Sequence, residues 1–600
     1  MILLILLAAS HLHKIVTASP DAQFDETLVS SKYFVDKSEL IKVFFEHNTH
    51  RGVFVTRPSG FGKTTNLRMI QKFCQVEVDT SSKNLIPQQQ TNAYKLFKDL
   101  KIAQHKAIVD EHLAKHPVLY LDLTRFAIEG EITKQKIVDA LDVVVKKALD
   151  EFSWLAGLYD GLNQTPSPYW NQTMFYKSIT DFSTFLSDYF NGTDVIILID
   201  GHDAPLQNAF LTHLDMIHRL HRTLQWMLRN LIRAESIKWN ILISGENSLL
   251  FRYYDVMSFI HQDRFLSDYP YTSYFGFLKE EAIQLMDKYG LSQDQKTEVE
   301  THYGGYESLR KHKSLYNPSS IIEYLSKTES SKEPLPKYKI SDNRTRIFWR
   351  FLRHLRFLRG ASKLIKNCPI RHKYLEDFNV FDADRFVDSI ILNPNSTEVH
   401  YRIHLTYSLQ LGYISPIRSN TYIIPNLEAR NVFLTDLRYH YEDWLKMDIK
   451  ELGNSLLEYT QAPTDEPTID TTESLQTVLT ASFEKLERAP NDTTNEFIFQ
   501  SIIQIAALVN PQLTVDEEYP SATLQNNTKY LVQRQCVTVV KSGDTATVVK
   551  ITHGNSTEIA LEKALNYTYS GDGIKRVKYL GIDVGDNHEA TLKQRVTVLT

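Results

Sequence analysis

Lys63 and Thr64 lie near the end of a stretch, Val53–Thr65, that reads VFVTRPSGFGKTT. Glycines at positions 60 and 62 let successive backbone N–H groups turn toward an anion. A helix that begins here would add the partial positive charge of its N-terminus. The Lys63 ammonium can neutralise β- and γ-phosphate oxygens, and the Thr64 hydroxyl can ligate Mg²⁺. This chemistry predicts a cradle for a nucleoside triphosphate.

The flanking sequence supports that interpretation. An apolar run, Gly52–Thr56, predicts a buried strand before the loop, and apolar residues at helical spacing predict an amphipathic helix after it. Those helix residues are Leu67, Met69, Ile70 and Phe73. The motif departs from its usual form at Arg57, where a glycine is expected. The alternative is a solvated turn with an exposed lysine.

A carboxylate is the second requirement of such a site. The strand Val195–Ile199 ends in Asp200, which places an acid for Mg²⁺ at the carboxyl edge of the sheet. In hydrolysing ATPases of the additional-strand type, a water-activating glutamate usually follows, but here the next residue is Gly201. His202 or Asp203 could take that role. A turn that caps the following helix is the alternative for both.

A further strand, Asn240–Ser244, leads into Gly245–Asn247, whose polar side chains could sense a γ-phosphate. Ser244 is the candidate there, and a satisfied loop serine is the alternative. From Ser30 to about Leu250, apolar strands alternate with longer helical stretches, which predicts a parallel sheet covered on both faces. The expected fold class is therefore doubly wound α/β, with strands at 52–56, 117–123, 194–200 and 239–244.

The composition is that of a globular protein. The 600 residues are 42% hydrophobic, with 20 prolines and 22 glycines, which suits two to four domains with sizeable cores. A net charge of −5 supplies no overall field toward nucleic acid. Nucleic-acid binding is therefore not expected. Aromatic and basic residues do alternate from Ile347 to Leu358, and a solvated amphipathic helix is the main interpretation of that segment.

The N-terminus predicts export. Met1–Ala9 is an apolar run too short to span a bilayer, and Val16–Ala18 offers small residues for a signal peptidase. The run lacks a preceding lysine or arginine, so a start-site or anchor artefact is the alternative. We predict a signal peptide over residues 1–18, no transmembrane segment after it, and a secreted, extracellular protein.

Nine Asn-x-Ser/Thr sequons are consistent with export, because such sites carry glycans in secreted proteins. They begin at Asn163, Asn171, Asn191, Asn343, Asn395, Asn491, Asn526, Asn555 and Asn566. The three cysteines allow at most one disulfide and show no metal-ligand spacing. Such sparse cysteine usage is more typical of a fold from a reducing compartment.

Several segments together resemble the AAA-ATPase-like family, whose bacterial members join a P-loop domain to a C-terminal PD-(D/E)xK nuclease-like domain. The matching segments are Tyr33–Lys37, Arg57–Thr64, Pro117–Leu123, Leu198–Leu206, Phe275–Phe277 and Tyr316–Ser319. The resemblance is strong over about residues 28–330. In that family an arginine at the position of Arg57 is normal. The resemblance implies that Gly60, Gly62, Lys63 and Thr64 bind nucleotide phosphate and that Asp200 holds Mg²⁺.

The departures from the family pattern also carry predictions. Where members have Asp-Glu-Tyr-Asp, this chain has Asp200-Gly-His-Asp203, which puts ATP hydrolysis in doubt. A nuclease of the PD-(D/E)xK kind needs an Asp on one strand and Glu-x-Lys on the next. Here Val548-Val-Lys550 keeps only the lysine, and the preceding strand, predicted over 533–540, has no Asp. A degenerate nuclease-like domain is therefore expected.

These observations divide the chain into five parts. They are a signal peptide (1–18), an AAA-ATPase-like P-loop domain (28–277), a helical domain (278–455), a linker (456–477) and a degenerate nuclease-like α/β domain (478–600). The predicted nucleotide-binding residues are Arg57, Gly60, Gly62, Lys63, Thr64, Thr65 and Ser244. The predicted catalytic residues are Lys63, Asp200 and Asp203, and the predicted Mg²⁺ ligands are Thr64 and Asp200.

The expected function is binding of a nucleoside triphosphate, ATP before GTP, with Mg²⁺ and with weak or lost hydrolysis. One alternative is an active ATPase in which His202 or Asp203 replaces the missing glutamate. Another is a scaffold or interaction protein with a vestigial phosphate loop. The sequence does not identify a protein partner.

Overall fold

The fold is that of a computed structural model, which describes most of the chain. It describes residues 24–46, 51–79, 81–126, 133–155, 158, 172–207, 217–233, 241–248, 259–266, 270–308, 313–330, 351–352, 354–366, 368–372, 385–386, 398–418, 420–462, 469–486, 496–515, 537–567, 573–585, 587 and 589–598. The predicted signal peptide lies outside these residues. Within them, no helix combines the length and apolar character needed to cross a bilayer.

The chain forms two compact units. The phosphate-loop unit comprises Met1–Lys339, Tyr374–Leu392 and Leu405–Pro416, and the C-terminal unit comprises Ile340–Lys373, Asn393–His404 and Ile417–Thr600. Neither unit is one continuous stretch of sequence.

The described strands are numbered in chain order. They are β1 Gly52–Thr56, β2 Val118–Asp122, β3 Ile196–Asp200, β4 Ile241–Gly245, β5 Ile260–Asp263, β6 Phe277–Leu278, β7 Tyr306–Glu307, β8 Ser314–Tyr316, β9 Ile370–Arg371, β10 Ser415–Arg418, β11 Thr421–Ile423, β12 Thr514–Val515, β13 Thr538–Ser542, β14 Thr545–His553, β15 Arg576–Val584 and β16 Ala590–Val598.

The described α-helices are numbered in the same way. They are α1 Glu26–Val29, α2 Leu40–Glu46, α3 Lys63–Cys74, α4 Asn92–Phe97, α5 Lys106–His112, α6 Lys134–Asp150, α7 Gln172–Tyr189, α8 Ile217–Arg233, α9 Lys279–Lys288, α10 Gln293–Tyr303, α11 Pro318–Ser330, α12 Leu355–Leu364, α13 Glu398–Gln410, α14 Leu427–Tyr439, α15 Ile449–Gln461, α16 Ile469–Phe483, α17 Glu496–Val509 and α18 Thr557–Leu565.

A five-stranded parallel sheet in the order β2-β3-β4-β1-β5 is the centre of the phosphate-loop unit. Every residue of β1 to β4 is buried, as expected for a parallel sheet covered on both faces. Strand β4 lies between β1 and β3, and the register pairs Thr56 with Gly245 and Asp122 with Asp200. The carboxyl ends of these strands therefore share one edge of the sheet.

Helix α3 anchors the loop that precedes it. Its apolar stripe, Leu67, Met69, Ile70 and Phe73, is at most 1% exposed and packs in one core with residues of β1, β3 and β4. Burial of each such side chain contributes about 1.5–3 kcal/mol. The amphipathic pattern read from the sequence thus fixes the start of α3 against the sheet.

The α/β class and the parallel sheet are confirmed, with differences in detail. Strand β5 was not predicted, because Ile-His-Gln-Asp lacks a continuous apolar run. The segment predicted as a helical domain also contains β6, β8 and β7, which form a three-stranded antiparallel sheet. The predicted linker 456–477 is partly helical, because α15 and α16 extend into it. The predicted domain boundaries themselves remain predictions.

The C-terminal unit has its own five-stranded sheet, in the order β12-β13-β14-β15-β16. Strands β14 and β15 pair in parallel and are joined through α18, whereas the other neighbours in this sheet pair antiparallel. Strand β16 was not predicted from the sequence. In the Ile347–Leu358 segment, residues 347–350 lie outside the described residues, Phe351 and Phe357 are buried, and the regular helix α12 begins at Leu355.

Candidate functional site

The loop between β1 and α3 has the backbone that phosphate binding requires. Gly60 and Gly62 have φ of 79° and 78°, a left-handed region that favours glycine. Gly62 is the N-cap residue of α3, and a Cβ added to it would meet no atom within 4 Å. The loop is therefore open where the first amides of a twelve-residue helix begin. An anion is stabilised at such a helix start by N–H groups and by the helix dipole.

The Lys63 side chain folds back over this loop. Its ammonium donates to the carbonyl oxygens of Arg57 and Pro58, both at 2.9 Å. Lys63 Nζ also lies 3.6 Å from Oε1 of Glu246, and both side chains are largely buried. Thr64 and Thr65 follow in the first turn of α3 and are half-buried. The structure thus brings the predicted phosphate-binding residues 60–65 together at one helix start.

A second segment braces the outer side of the loop. Asn317 Nδ2 donates to the carbonyl of Ser59 at 3.0 Å, and both N and Oγ of Ser319 approach the carbonyl of Gly60 at 3.4 and 3.3 Å. A Cβ on Gly60 would meet Asn317 Oδ1 at 2.5 Å, so the close approach requires glycine. The Tyr316–Ser319 segment, noticed in the sequence only as part of a resemblance, therefore holds the loop in place.

Arg57 has a different position from its neighbours in the loop. Its side chain is fully buried and pairs with Asp263 Oδ1 of β5 at 2.6 Å. The guanidinium also donates to the carbonyls of Thr56 and Asp263, at 2.8 and 3.0 Å. The predicted nucleotide-binding side chain of Arg57 is thus directed into the core, where it ties β1 to β5. The sequence pattern could not show this, because the partner lies 206 residues further along the chain.

Asp200 ends β3 with its carboxylate held by two hydroxyls. Tyr120 Oη donates to one oxygen at 2.8 Å, and Ser244 Oγ donates to the other at 2.7 Å. Burial, followed by the charge of Asp200, raises the pKa of Tyr120 well above its usual value, so the phenol remains a donor. Ser244 was a candidate γ-phosphate sensor, and the structure places its hydroxyl on Asp200.

His202 and Asp203 form a buried turn after β3. The Asp203 carboxylate accepts from the backbone N–H groups of Glu246 and Asn247, both at 3.0 Å, and from the side-chain amides of Asn247 and Gln207 at 2.6 and 2.8 Å. His202 Nδ1 lies 3.0 Å from the Ser244 carbonyl, and burial lowers the pKa of the imidazole. Both side chains thus hold the end of β4 in place.

Gly201 has no room for the glutamate that the sequence comparison expects. Its φ is 64°, and a Cβ there would lie 2.4 Å from Thr124 Cγ2. A side chain at this position would therefore need both a strained backbone and a shift of the loop after β2. The local backbone at position 201 therefore accommodates glycine and not the glutamate expected beside Asp200.

Sequence reasoning did not single out Glu246. Glu246 belongs to the polar segment Gly245–Asn247 that follows a predicted strand, and the predicted γ-phosphate sensor there is Ser244. Glu246 is the first residue after β4, 5% exposed, and faces the Lys63 ammonium. Its importance depends on β4 lying beside β1, which the local sequence does not specify. A polar residue immediately after a predicted buried strand was the available signal.

Hard oxygen ligands for Mg²⁺ are present in this region, in the Asp200 carboxylate and the Thr64 hydroxyl. Among the described residues, no group of three His, Cys, Asp or Glu side chains could hold a metal ion by itself. Protein-bound Mg²⁺ commonly uses one or two carboxylates together with substrate phosphates. The residues present therefore fit a Mg²⁺ ion that arrives with a nucleotide.

The fold and this loop define a class of domain. A parallel α/β sheet with a glycine-rich loop between its first strand and a helix is consistent with a P-loop-like nucleotide-binding domain. A family model described as predicted AAA-ATPase (AAA-ATPase-like) matches residues 22–246. That segment includes the loop, Asp200 and the end of β4, and it is similar to AAA-ATPase-like domains. No curated protein matches the chain.

The described parts of β13 and β14 lack the two acids that a PD-(D/E)xK site needs on these strands. Val548, at the position of the glutamate, is fully buried in β14. Lys550, the retained lysine, lies 3.4 Å from Glu496 of α17. The described part of the preceding strand, β13, reads Thr-Val-Val-Lys-Ser. Gln500 of α17 donates to Thr538 Oγ1 of β13 and to the Val549 carbonyl of β14, at 2.8 and 2.9 Å.

Proposed function

We propose that this protein binds a nucleoside triphosphate, ATP by preference, together with Mg²⁺, and hydrolyses it slowly or not at all. One observation carries the proposal. The Gly60–Gly62 backbone opens at the N-terminus of α3, and the Lys63 ammonium lies on loop carbonyls that phosphate oxygens can replace. The match of residues 22–246 to an AAA-ATPase-like family supports it.

The roles of the residues follow from their chemistry. Loop amides and Lys63 would bind the β- and γ-phosphates, and Thr64 with Asp200 would hold Mg²⁺. The Mg²⁺ ion would neutralise phosphate charge. Tyr120 and Ser244 orient the Asp200 carboxylate through their hydroxyl groups. Arg57 would act at a distance, by fixing the loop to β5.

Slow turnover is proposed because the usual water-activating position is occupied by Gly201. The alternative of an ATPase that uses Asp203 as its base is not favoured, because that carboxylate already accepts four N–H groups. His202 is not favoured as the base either, because its side chain is fully buried against Phe54, with the ring centroids 4.8 Å apart.

Nucleotide titration of the full chain tests this function. We expect Mg²⁺-dependent binding of a fluorescent ATP analogue and a rise in melting temperature with ATP, since a ligand that binds the folded state stabilises it. Lys63→Ala should abolish both effects, and EDTA should weaken both. Lys72→Ala is the matched control, because Lys72 is an exposed lysine on the same helix. Parallel titration with GTP tests the base preference.

A protein that shows no Lys63-dependent binding of either nucleotide at millimolar concentration would instead be a scaffold with a vestigial loop. Binding that Lys63→Ala leaves intact would point to a site elsewhere in the chain. Either result would contradict the proposed function.

We also propose that the protein is secreted and glycosylated. The three sequon asparagines within the described residues, Asn191, Asn555 and Asn566, are all exposed, as glycosylation requires. A mature N-terminus near Ser19 and a mobility shift after glycosidase treatment are expected for protein from a secreting cell. An unprocessed chain that remains inside the cell would contradict this part.

For the C-terminal unit we propose a degenerate nuclease-like domain with a binding or structural role. The helix α17, the β13–β14 hairpin and the β14–α18–β15 crossover support the likeness, and the buried Val548 argues against metal-dependent cleavage. The purified chain should leave single- and double-stranded DNA intact in Mg²⁺ or Mn²⁺. Cleavage that Lys550→Ala removes would contradict the proposal.

A further inference from the structure

We propose that Glu246 is the carboxylate that activates the attacking water in this site. It would supply, from the end of β4, the function that Gly201 cannot supply from the end of β3. This inference rests on the proposed nucleotide binding and deepens it by assigning the residue on which the slow hydrolysis depends.

The position of Glu246 is fixed by backbone contacts. Its own N–H donates to the Asp203 carboxylate at 3.0 Å, and the N–H of Arg57 donates to the Gly245 carbonyl at 3.0 Å. The end of β4 is thus tied both to the turn after β3 and to the start of the phosphate loop. Gly245 permits this packing, because a Cβ there would lie 2.0 Å from the His202 ring.

The carboxylate of Glu246 faces the phosphate loop. Oε1 lies 3.6 Å from Lys63 Nζ, and Gln207 Nε2 lies 3.4 Å from Oε2. Since the loop lysine is the group that reaches β- and γ-phosphate oxygens, a carboxylate beside it lies within about one water of the γ-phosphate. A base in that place needs no movement of the sheet.

Other carboxylates at this edge of the sheet have structural partners. Asp203 accepts from two backbone amides and two side-chain amides. Asp122 accepts from the Thr124 N–H and from Arg125 Nε, at 3.2 and 3.0 Å. Asp263 is paired with buried Arg57. Asp200, which accepts from the Tyr120 and Ser244 hydroxyls, is the proposed Mg²⁺ ligand. Glu246 also has a partner in Gln207, and its carboxylate faces the Lys63 ammonium that a nucleotide would engage.

The proposed step is balanced without a further co-reactant. The water oxygen forms a bond to the γ-phosphorus, and the bond from that phosphorus to the bridging oxygen breaks, leaving its electron pair on the nucleoside diphosphate. The water proton passes to the Glu246 carboxylate and then to phosphate or solvent, which restores the carboxylate. The same negative charge beside the γ-phosphate weakens binding, so this residue should lower nucleotide affinity while it promotes turnover.

The experiment compares Glu246→Gln, Glu246→Asp and Glu111→Gln in the full chain, with Lys63→Ala as the background. Glu111 is the matched control, because its side chain is 73% exposed on α5 of the same unit. Phosphate release from Mg-ATP and binding of the fluorescent ATP analogue are measured for each variant. Glu246→Gln should reduce Lys63-dependent turnover by about 100-fold or more. Its ATP affinity should be unchanged or higher.

Glu246→Asp should retain an intermediate turnover, and Glu111→Gln should match the unsubstituted protein. A structural role for Glu246 would instead lower melting temperature, affinity and turnover together. The inference is overturned if Glu246→Gln keeps turnover within twofold, or if the unsubstituted protein binds ATP but releases no Lys63-dependent phosphate. Absence of Lys63-dependent binding would overturn the proposed function itself, so the two failures are distinguishable.

Discussion

The phosphate-loop unit and the C-terminal unit each depart from the metal-dependent motif predicted for them, but they depart from it in different ways. Beside Asp200, the missing glutamate is replaced by Gly201, and another carboxylate, Glu246, lies at the end of the neighbouring strand. In β14, the fully buried Val548 lies where the predicted nuclease-like motif would have a glutamate. The first region has polar side chains around an open loop, whereas Val548 is part of an apolar core.

The lysines of the two units differ in the same way, in whether their surroundings leave space for a ligand. The Lys63 ammonium donates to the carbonyl oxygens of Arg57 and Pro58 in a loop that opens at a helix start, so it can turn to the oxygens of a ligand instead. Lys550 is a residue of β14, where it is paired with Glu496 and its neighbours along the strand are buried. A retained lysine indicates function only where the surrounding backbone leaves space for a ligand. Four substitutions or conditions can break or sharpen this comparison.

The largest effect is expected from Asp263→Ala. This change leaves the Arg57 guanidinium buried without its carboxylate, which costs about 3–5 kcal/mol when a buried pair is broken. The phosphate loop should lose its attachment to β5, and ATP binding should fall with stability. Chemical denaturation and ATP titration measure the two effects. Asp294→Ala, at an exposed helix start, is the control, and equal behaviour of the two variants would refute the structural role of Arg57.

Restoring the acid in the C-terminal unit should be the next most damaging change. Val548→Glu places a carboxylate at a fully buried position of β14, which should cost about 3 kcal/mol. No nuclease activity should appear in Mg²⁺ or Mn²⁺. Val548→Ile is the matched control. A stable Val548→Glu protein that cleaves DNA would contradict this expectation and would show that the acid missing from the preceding strand is not needed.

Restoring the acid in the phosphate-loop unit should cost less and still fail. Gly201→Glu forces a side chain into the left-handed region and against Thr124, for about 2 kcal/mol in total. Turnover should not rise. Combination with Thr124→Ala removes the clash and should recover part of the lost stability. A rise in ATP turnover in either variant would mean that the β3 position can still act and would weaken the case for Glu246.

Local sequence pattern was sufficient for the elements that carry the loop. The predicted strand 52–56 coincides with β1, and the apolar stripe of α3 forms the core that the spacing indicated. These elements depend on residues close together in the chain, and burial of one face determines them. Asp200 at the end of β3 was found for the same reason.

The remaining features of the site could not be predicted from the sequence, because they depend on pairing between distant segments of the chain. Neither the burial of Arg57 nor the brace of the loop by Asn317 can be read locally, because their partners are more than 200 residues away. Glu246 became visible only with the strand order, since β4 could not be placed between β1 and β3 from its own sequence. The hydrogen bonds of Asp203 to the backbone after β4 likewise could be recognised only once the strand order of the sheet was known.

The smallest effect is a pH dependence confined to the phosphate-loop unit. His112 stacks on Phe45 and lies 2.9 Å from His116, and burial, followed by repulsion from a charged His116, lowers its pKa from 6.5 to about 4. Between these values the unfolded chain binds a proton that the folded chain does not. The contribution of neutral His112 to the free energy of unfolding is therefore complete above pH 6.5 and is lost as the pH falls toward 4.

We expect this loss to be about 1–2 kcal/mol, because the imidazole is partly exposed and solvent screens its charge. Hydrogen exchange of peptides from β1 to β5 at pH 7 and pH 5 measures it separately from the C-terminal unit. His112→Gln should flatten the pH dependence in this unit, whereas His105→Gln, at a partly exposed position, should not. If both variants keep the full slope, the acid sensitivity arises from groups other than His112, among them His116 and His202, whose pKa values burial also lowers.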